Sequence, residues 1–241
     1  MSQTIYYILG TPNSGRKTLV QDLIQTGLPE GTHPLVLMAD TELDSQTFTE
    51  AQVQAWKMDE GKIVTPDLED NWDTLFFINE GSTNPVDQIE AFAAWLKEHD
   101  LTLTRAITLL DCHLAHKQPE LAPWYQACVH FSDVVLLNFK NESQPKGFKE
   151  FLKLLKHECS PCLFETLKKG CVHNPAQILY PEARRLSHLF DDLDPLDSLD
   201  LDEDDLPTES FVLENAPDPY LERLPTGQRC KSIPDIQDYL P

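Results

Sequence analysis

The stretch Gly10-Thr-Pro-Asn-Ser-Gly-Arg-Lys-Thr18 decides the fold, because it nearly matches a phosphate-binding loop. In that loop, G-x-x-x-x-G-K-[S/T], backbone N–H groups wrap the phosphates, the lysine reaches their outer oxygens and the hydroxyl holds Mg²⁺. The flanks fit, since the apolar run Thr4–Leu9 predicts a strand and the apolar spacing in Lys17–Ile24 predicts a helix. We therefore expect a strand, a loop and a helix in this order.

The stretch can be aligned with the motif in three ways. If Gly10 and Gly15 are the motif glycines, Arg16 takes the lysine position and Lys17 replaces the metal-binding hydroxyl. If Lys17 and Thr18 are aligned instead, side chains replace both glycines where the backbone must approach phosphate. The third alignment keeps all of these residues and lengthens the loop. A turn rich in Gly, Ser, Asn and Pro is also an ordinary strand-to-helix connection, so phosphate binding needs further support.

Composition predicts one domain of ordinary size. The chain has 241 residues, of which 41% are hydrophobic and 9% aromatic, enough for one well-buried core with extra segments. Neither a secretion signal nor a membrane-spanning run is predicted, so we expect a soluble cytoplasmic protein with its six cysteines reduced. The formal charge of -21 argues against nucleic acids and anionic membranes as partners.

Organisation changes near residue 190. Residues 1–188 are expected to form the domain, and residues 189–241 an acidic, Pro-rich tail. The stretch Asp191–Asp205 is interpreted as a solvated linker; the alternative is a segment that binds a protein partner through alternating acidic and apolar residues. For residues 217–241, an extended arm packed on a surface and a disordered segment remain alternatives.

Strand-like and helix-like segments alternate through the domain. Short apolar runs typical of strands buried on both faces are Leu35–Ala39, Asp73–Ile78, Arg105–Leu110 and Val134–Asn138. Helices are predicted at Ser45–Lys57, Pro85–Glu98, Trp124–Phe131 and Gln144–Lys156. Repeated βα units predict an α/β fold, a three-layer sandwich around a mainly parallel sheet, with any site at the carboxyl ends of the strands. The residues at those ends are the Gly10 loop, Asp40, the turn Asn79–Gly81, Asp111 and Asn138.

Taken in order, segments over roughly residues 3–180 resemble the nucleotide-binding domain of the CobW-like P-loop GTPases, the family related to the metal-insertion chaperones HypB and UreG. Gly10–Val20 is similar to the family's G-F-x-G-[S/A]-G-K-T-T-L-L, and Ile78–Pro85 to its E-x-[S/T]-G-x-A-D-P. Thr108–Asp111 ends in the family's strand-final Asp. Gln126–Asn141 resembles the segment that ends in the N-K-x-D base box, and Asn174–Ile178 resembles N-P-x-A-x-I.

The resemblance implies a nucleotide ligand, GTP or another nucleotide with Mg²⁺, held by the loop and the base box. The implied binding residues are Gly10, Asn13, Ser14, Gly15, Arg16, Lys17, Thr18, Asn138, Lys140 and Asn141. No catalytic residue and no metal ligand is assigned.

Departures from the family pattern fall on its chemistry. In the base box Phe139 replaces Lys and Asn141 replaces Asp, and an Asn cannot accept both guanine hydrogen bonds as a carboxylate does. Ile78 replaces the acidic residue of the third-strand turn, although Glu80 follows closely. The family's G-C-x-C-C metal motif would fall near Gly61–Thr65, where no Cys is present.

A separate group of residues carries metal-ligand chemistry. Cys159 and Cys162 form a C-x₂-C pair, and Cys171 and His173 follow. These are zinc ligand types, but their spacing is not that of a standard finger, so a helix-start turn with simple thiols is the favoured interpretation.

Three functional hypotheses remain. The first is a divergent nucleotide-binding protein in which GTP hydrolysis is weak or lost. The second is a pseudo-GTPase scaffold that binds no nucleotide and uses its acidic tail for a partner. The third is an ATP-dependent enzyme in which Phe139 stacks on adenine and Thr18 binds Mg²⁺.

Overall fold

The computed structural model describes residues 3–43, 48–68, 71–140, 144–158, 161–191 and 217–240. Within these residues one eight-stranded sheet has the order β4-β3-β2-β5-β1-β6-β7-β8. Its strands are β1 Thr4–Gly10, β2 Pro34–Ala39, β3 Gln52–Asp59, β4 Lys62–Val64, β5 Thr74–Ile78, β6 Arg105–Asp111, β7 Val134–Asn138 and β8 Leu163–Thr166. Neighbouring strands run parallel except for the antiparallel pair β3 and β4.

Helices cover both faces of the sheet. They are α1 Arg16–Gly27, α2 Pro85–Glu98, α3 Cys112–Lys117, α4 Ala122–His130, α5 Phe148–Glu158 and α6 Pro175–Leu179. One apolar cluster joins the sheet to α2, α4 and α5, and a second joins its other face to α1 and α6. The three-layer α/β sandwich predicted from the sequence is confirmed. Among the described helices, none has both the length and the apolar character needed to cross a bilayer.

The central strands are apolar throughout because both of their faces are buried. In β1, Tyr7 packs against Phe77 and Phe92 in the first cluster, with ring centroids 5.7 and 4.1 Å away. The adjacent Tyr6 points to the opposite face and stacks on Phe76 in the second cluster. Successive side chains of a strand point to opposite faces, so a strand with helices on both sides cannot alternate between apolar and polar residues.

The helix predicted over Ser45–Lys57 is wrong over its second half, where Gln52 begins β3; residues 44–47 lie outside the described residues. Residues 52–58 include good helix formers, but packing outweighs this propensity. Trp56 is buried against Phe77, with ring centroids 5.0 Å apart. A tight turn with positive φ at Glu60 and Gly61 then returns the chain as β4.

Residues 217–240, here called the C-terminal arm, pack on the domain, which selects one of the two alternatives for this segment. Tyr220 and Ile236 are buried in the first cluster, and Arg229 bonds Asp87 and Glu90 of α2. The acidic residues 192–216 lie outside the described residues. The division of the chain into residues 1–188 and 189–241 stays a prediction.

Candidate functional site

The bounds of β1 and α1 match the first of the three loop alignments. β1 ends at Gly10, and α1 begins at Arg16 with Gly15 as its N-cap. Gly15 has φ 102°, a left-handed conformation that favours glycine. In this alignment Arg16 stands at the lysine position of the motif, and Lys17 stands at the position of the metal-binding hydroxyl.

Arg16 is buried beside the loop, with 5% of its side chain exposed. Its Nη2 donates to both carboxylate oxygens of Glu42, at 2.9 and 2.8 Å. Its Nη1 donates to the carbonyl of Asn79 and, at 3.0 Å, to the Asn79 side-chain oxygen. The guanidinium thus joins the loop between β1 and α1 to the segment after β2 and to the turn after β5.

Glu42 belongs to a short 3-10 helix, Asp40–Glu42, that follows β2. Besides Arg16, its Oε1 accepts a hydrogen bond of 2.9 Å from the backbone N–H of Gly81. Its carbonyl accepts one of 2.8 Å from Nζ of Lys17. Both motif-position cations therefore contact this one residue, the first through its side chain and the second through its backbone.

The turn after β5 lies directly against the loop between β1 and α1. A Cβ placed on Gly81 would lie 2.6 Å from the nitrogen of Pro12 and 2.7 Å from the carbonyl oxygen of Gly10. Only glycine fits this approach. Glu80, the expected substitute for the family's acidic residue, instead accepts 2.8 Å from the hydroxyl of Thr41. Ile78, at the family's acidic position, is buried in the second cluster.

A cavity of about 520 Å³ opens beside the loop, within the usual size of small-ligand pockets. It is lined by Pro12, Asn13, Gly15, Arg16, Lys17, Thr18, Thr41, Glu42 and Ser82. Five of the predicted binding residues thus share one cavity wall: Asn13, Gly15, Arg16, Lys17 and Thr18. Among the described residues of this wall, two cations outnumber one carboxylate, a charge balance that favours an anion although the chain as a whole is acidic.

The residues at the motif's metal position do not fit Mg²⁺. Mg²⁺ needs oxygen ligands, whereas Lys17 presents an ammonium that only donates and that repels a cation. Glu42, the one carboxylate among the described residues that line the cavity, is held by Arg16 and by the Gly81 N–H. We therefore assign no step to a bound metal here.

Asn138, predicted to belong to a base box, ties the loop between β1 and α1 in place. Its Nδ2 donates a hydrogen bond of 2.7 Å to the carbonyl of Ser14. Its Oδ1 accepts one of 2.9 Å from the backbone N–H of Lys140. Ser14 is fully buried, and its hydroxyl finds no hydrogen-bond partner among the described residues. Both the nitrogen and the oxygen of the Asn138 side-chain amide are therefore hydrogen-bonded within the protein.

The other base-box residues divide. Lys140 is exposed, and its Nζ lies 2.6 Å from Oδ2 of Asp111. Phe139 packs edge-on against Phe148 at 5.5 Å, so its ring belongs to the apolar cluster. Asn141 lies outside the described residues, and the structure does not place it.

Reactive groups behind the loop are held neutral. Burial raises the pKa of the Cys128 thiol and of the Tyr125 hydroxyl well above their usual values. Burial also raises the pKa of Cys112, and the nearby Asp111 carboxylate adds to this. A protonated thiol is a poor nucleophile, so these cysteines serve packing.

The candidate zinc residues are not gathered in what the structure describes. Cys162 is buried just before β8, and Cys171 is exposed near Asp22. Cys159 lies outside the described residues. Over the described part of the chain, no group of three or more His, Cys, Asp or Glu side chains is arranged to hold a metal.

Sequence reasoning missed two residues that organise the site. Glu42 carries no motif signal; the nearest hint is its place just after Asp40, at the end of a parallel strand. Asn79 lies in the turn Asn79–Gly81, which was predicted to lie at the site, but the motif does not predict its bonds to Arg16.

Known proteins were compared with the chain at three levels. No family model and no curated protein matches. Among solved structures it is similar to the Zn(II)-bound YjiA GTPase from E. coli, at 14% identity over 76% of this chain and 67% of that one, with a TM-score of 0.46. It is also similar to the hydrogenase maturation factor HypB from Archaeoglobus fulgidus, at 13% identity over 68% and 81%, with a TM-score of 0.47.

Proposed function

We propose that this chain binds a nucleotide through the loop between β1 and α1 and does not hydrolyse it. The observation that carries the proposal is the placement of Gly15, Arg16 and Lys17 at the N-terminus of α1, beside a cavity of about 520 Å³. Loop N–H groups before a helix favour phosphate, and two adjacent cations add charge attraction.

Loss of hydrolysis follows from the positions of the two cations. Phosphoryl transfer depends on a lysine and a metal ion that neutralise the developing charge. Arg16 is already paired with Glu42, and Lys17 stands where the metal-binding hydroxyl would be. Ile78 supplies no carboxylate at the turn. Each change removes a contribution on the order of several kcal/mol to the transition state.

Weak base selectivity is expected for the same ligand. Asn138 uses its amide on Ser14 and Lys140, and Phe139 packs inward. The phosphates then supply most of the affinity, so guanine and adenine nucleotides should bind within about tenfold of each other.

A second candidate is a pseudo-GTPase that binds no nucleotide and serves as an interaction platform, with the acidic stretch 191–205 reaching a protein partner. One observation favours it: the strongest polar groups at the site, Arg16 and Asn138, are already satisfied by the protein.

Titration calorimetry with GDP, GTP and ATP separates the two candidates. If the protein binds nucleotide, we expect micromolar affinity that Lys17→Ala weakens at least about tenfold. The control is Lys97→Ala, which removes an exposed lysine of α2 and should leave the affinity unchanged. Absence of heat at millimolar nucleotide would overturn the proposal and leave the platform. A phosphate-release assay with GTP checks the second part, for which we expect no turnover above the rate of the Lys17→Ala variant.

A further inference from the structure

The carboxylate of Glu42 is held as a bound anion would be. Both of its oxygens accept hydrogen bonds from Nη2 of Arg16, at 2.9 and 2.8 Å. One of them, Oε1, also accepts a hydrogen bond of 2.9 Å from the backbone N–H of Gly81. Its side chain is 18% exposed, so the pairing is shielded from solvent. A guanidinium together with a backbone N–H is a donor set that suits phosphate oxygens as well as a carboxylate.

The location of this carboxylate matters as much as its partners. Arg16 occupies the motif position whose side chain reaches the outer phosphate oxygens. Gly81 belongs to a turn that touches the loop backbone. Glu42 therefore lies between the Arg16 guanidinium and the Gly81 N–H, and it lines the same cavity.

A terminal phosphate cannot share these donors with Glu42. Two anions on one guanidinium would repel each other at short range in a partly buried site. Entry of a third phosphate requires the Asp40–Glu42 segment to withdraw, which also breaks the bond from Lys17 to the Glu42 carbonyl. A ligand with one phosphate fewer need not disturb the pair.

We propose that Glu42 is an internal substitute for a terminal phosphate, so that the cavity selects nucleoside diphosphates over triphosphates. This inference rests on the proposed function, because it names the ligand class of the same cavity. Without ligand, Arg16 stabilises the fold through its bonds to Glu42. It becomes available to a triphosphate only when Glu42 moves away from it.

The test compares Glu42→Ala with Glu80→Ala by calorimetry, using GDP and a non-hydrolysable GTP analogue. Glu80 is a neighbouring carboxylate that bonds Thr41, so its removal controls for the general loss of negative charge. We expect Glu42→Ala to raise triphosphate affinity about tenfold or more and to change GDP affinity less than about threefold. We expect Glu80→Ala to leave the ratio of the two affinities as in the wild type.

Thermal unfolding supplies an independent readout. Glu42→Ala leaves Arg16 buried without its carboxylate, so its Tm should fall. Inorganic tripolyphosphate at millimolar concentration should raise the Tm of Glu42→Ala more than that of the wild type, because its third phosphate can take the place of the missing carboxylate. If Glu42→Ala does not fold, Glu42→Gln, which keeps one acceptor oxygen, takes its place in both experiments.

The outcomes separate this inference from the proposed function. Wild-type protein that binds GDP, with an unchanged ratio of affinities in Glu42→Ala, overturns the role of Glu42 and leaves nucleotide binding intact. Wild-type protein that binds no nucleotide, with a Glu42→Ala variant that binds the triphosphate analogue, supports the role of Glu42 and overturns native nucleotide binding. Equal tripolyphosphate effects on both proteins overturn the role of Glu42.

Discussion

The side-chain amide of Asn138 donates a 2.7 Å hydrogen bond to the carbonyl of Ser14, which lies 124 residues away in the chain. It joins the end of β7 to the loop between β1 and α1. The same asparagine is the one residue of 138–141 that matches the N-K-x-D base box of the proteins that the sequence resembles. Its bond to the loop gives it a structural role that needs no guanine ligand.

Substitution of Asn138 by Asp should loosen the loop. A carboxylate replaces the donor and faces the carbonyl of Ser14, so we expect the free energy of unfolding to fall by about 2 kcal/mol. Urea denaturation measures this. Asn174→Asp, an exposed asparagine that makes no capping bond to α6, is the control and should change the value by less than about 0.5 kcal/mol. Equal effects of the two substitutions would contradict the tether.

Substitution of Arg16 by Lys restores the motif residue but should destabilise the protein. A lysine cannot reproduce the paired bonds to Glu42 together with those to Asn79. We expect a loss of about 2 kcal/mol in the free energy of unfolding, from chemical denaturation. The matched control is Arg184→Lys, whose exposed pair with Glu182 should matter by at most about 0.5 kcal/mol. An unchanged free energy of unfolding in Arg16→Lys would contradict a stabilising role for the paired guanidinium bonds.

Much of the fold could be predicted from local patterns. The Gly10–Thr18 stretch and the short apolar runs locate the loop and the parallel strands, because both depend on nearby residues. The helix predicted over Ser45–Lys57 failed because the burial of Trp56, which is set by tertiary packing, decided its second half.

The partners at the site could not be predicted in the same way. The Arg16–Glu42 pair spans 26 residues and joins two loops whose proximity exists only once β1, β5 and β2 have paired. Motif comparison shows which residue departs from a pattern, as at Arg16, but not which side chain compensates for it. The packing of the C-terminal arm could not be predicted for a similar reason, since its anchors Tyr220 and Ile236 have no periodic context.

Substitution of Gly81 by Ala tests the contact between the turn and the loop. The new Cβ would meet the backbone of Pro12 and Gly10 at 2.6 and 2.7 Å, and backbone cannot yield as a flexible side chain can. We expect a loss of about 2 kcal/mol in stability together with weaker nucleotide binding. Gly227→Ala has a left-handed φ of +85° but open space, so it reports conformational strain alone, about 1 kcal/mol, with nucleotide affinity unchanged. Unaltered affinity in Gly81→Ala would contradict the close contact.

Acid should release the C-terminal arm. Burial by itself would raise the pKa of Asp218 and of Glu90. Hydrogen bonds outweigh this effect and lower both pKa values: His130 and Ser187 bond Asp218, and the arm residues Arg229 and Arg223 bond Glu90. Folded-state pKa values below the unfolded ones mean that the stabilisation is present above about pH 4 and is lost as the pH falls through the lowered values.

Hydrogen exchange of the arm amides across that range measures the release. Protection should decline in acid before that of β1, and Asp218→Asn should show weaker pH dependence than the wild type. If arm and sheet lose protection together in both proteins, the carboxylates do not control the arm.

Binding of GDP with and without Mg²⁺ is the most direct test of nucleotide binding by a loop that carries Lys17 at the metal position. Calorimetry in EDTA and in millimolar Mg²⁺ should give micromolar Kd values that agree within about threefold, because the lysine ammonium replaces the ion. Binding that is lost in EDTA, or that is absent in both buffers, would contradict metal-independent nucleotide binding at this site.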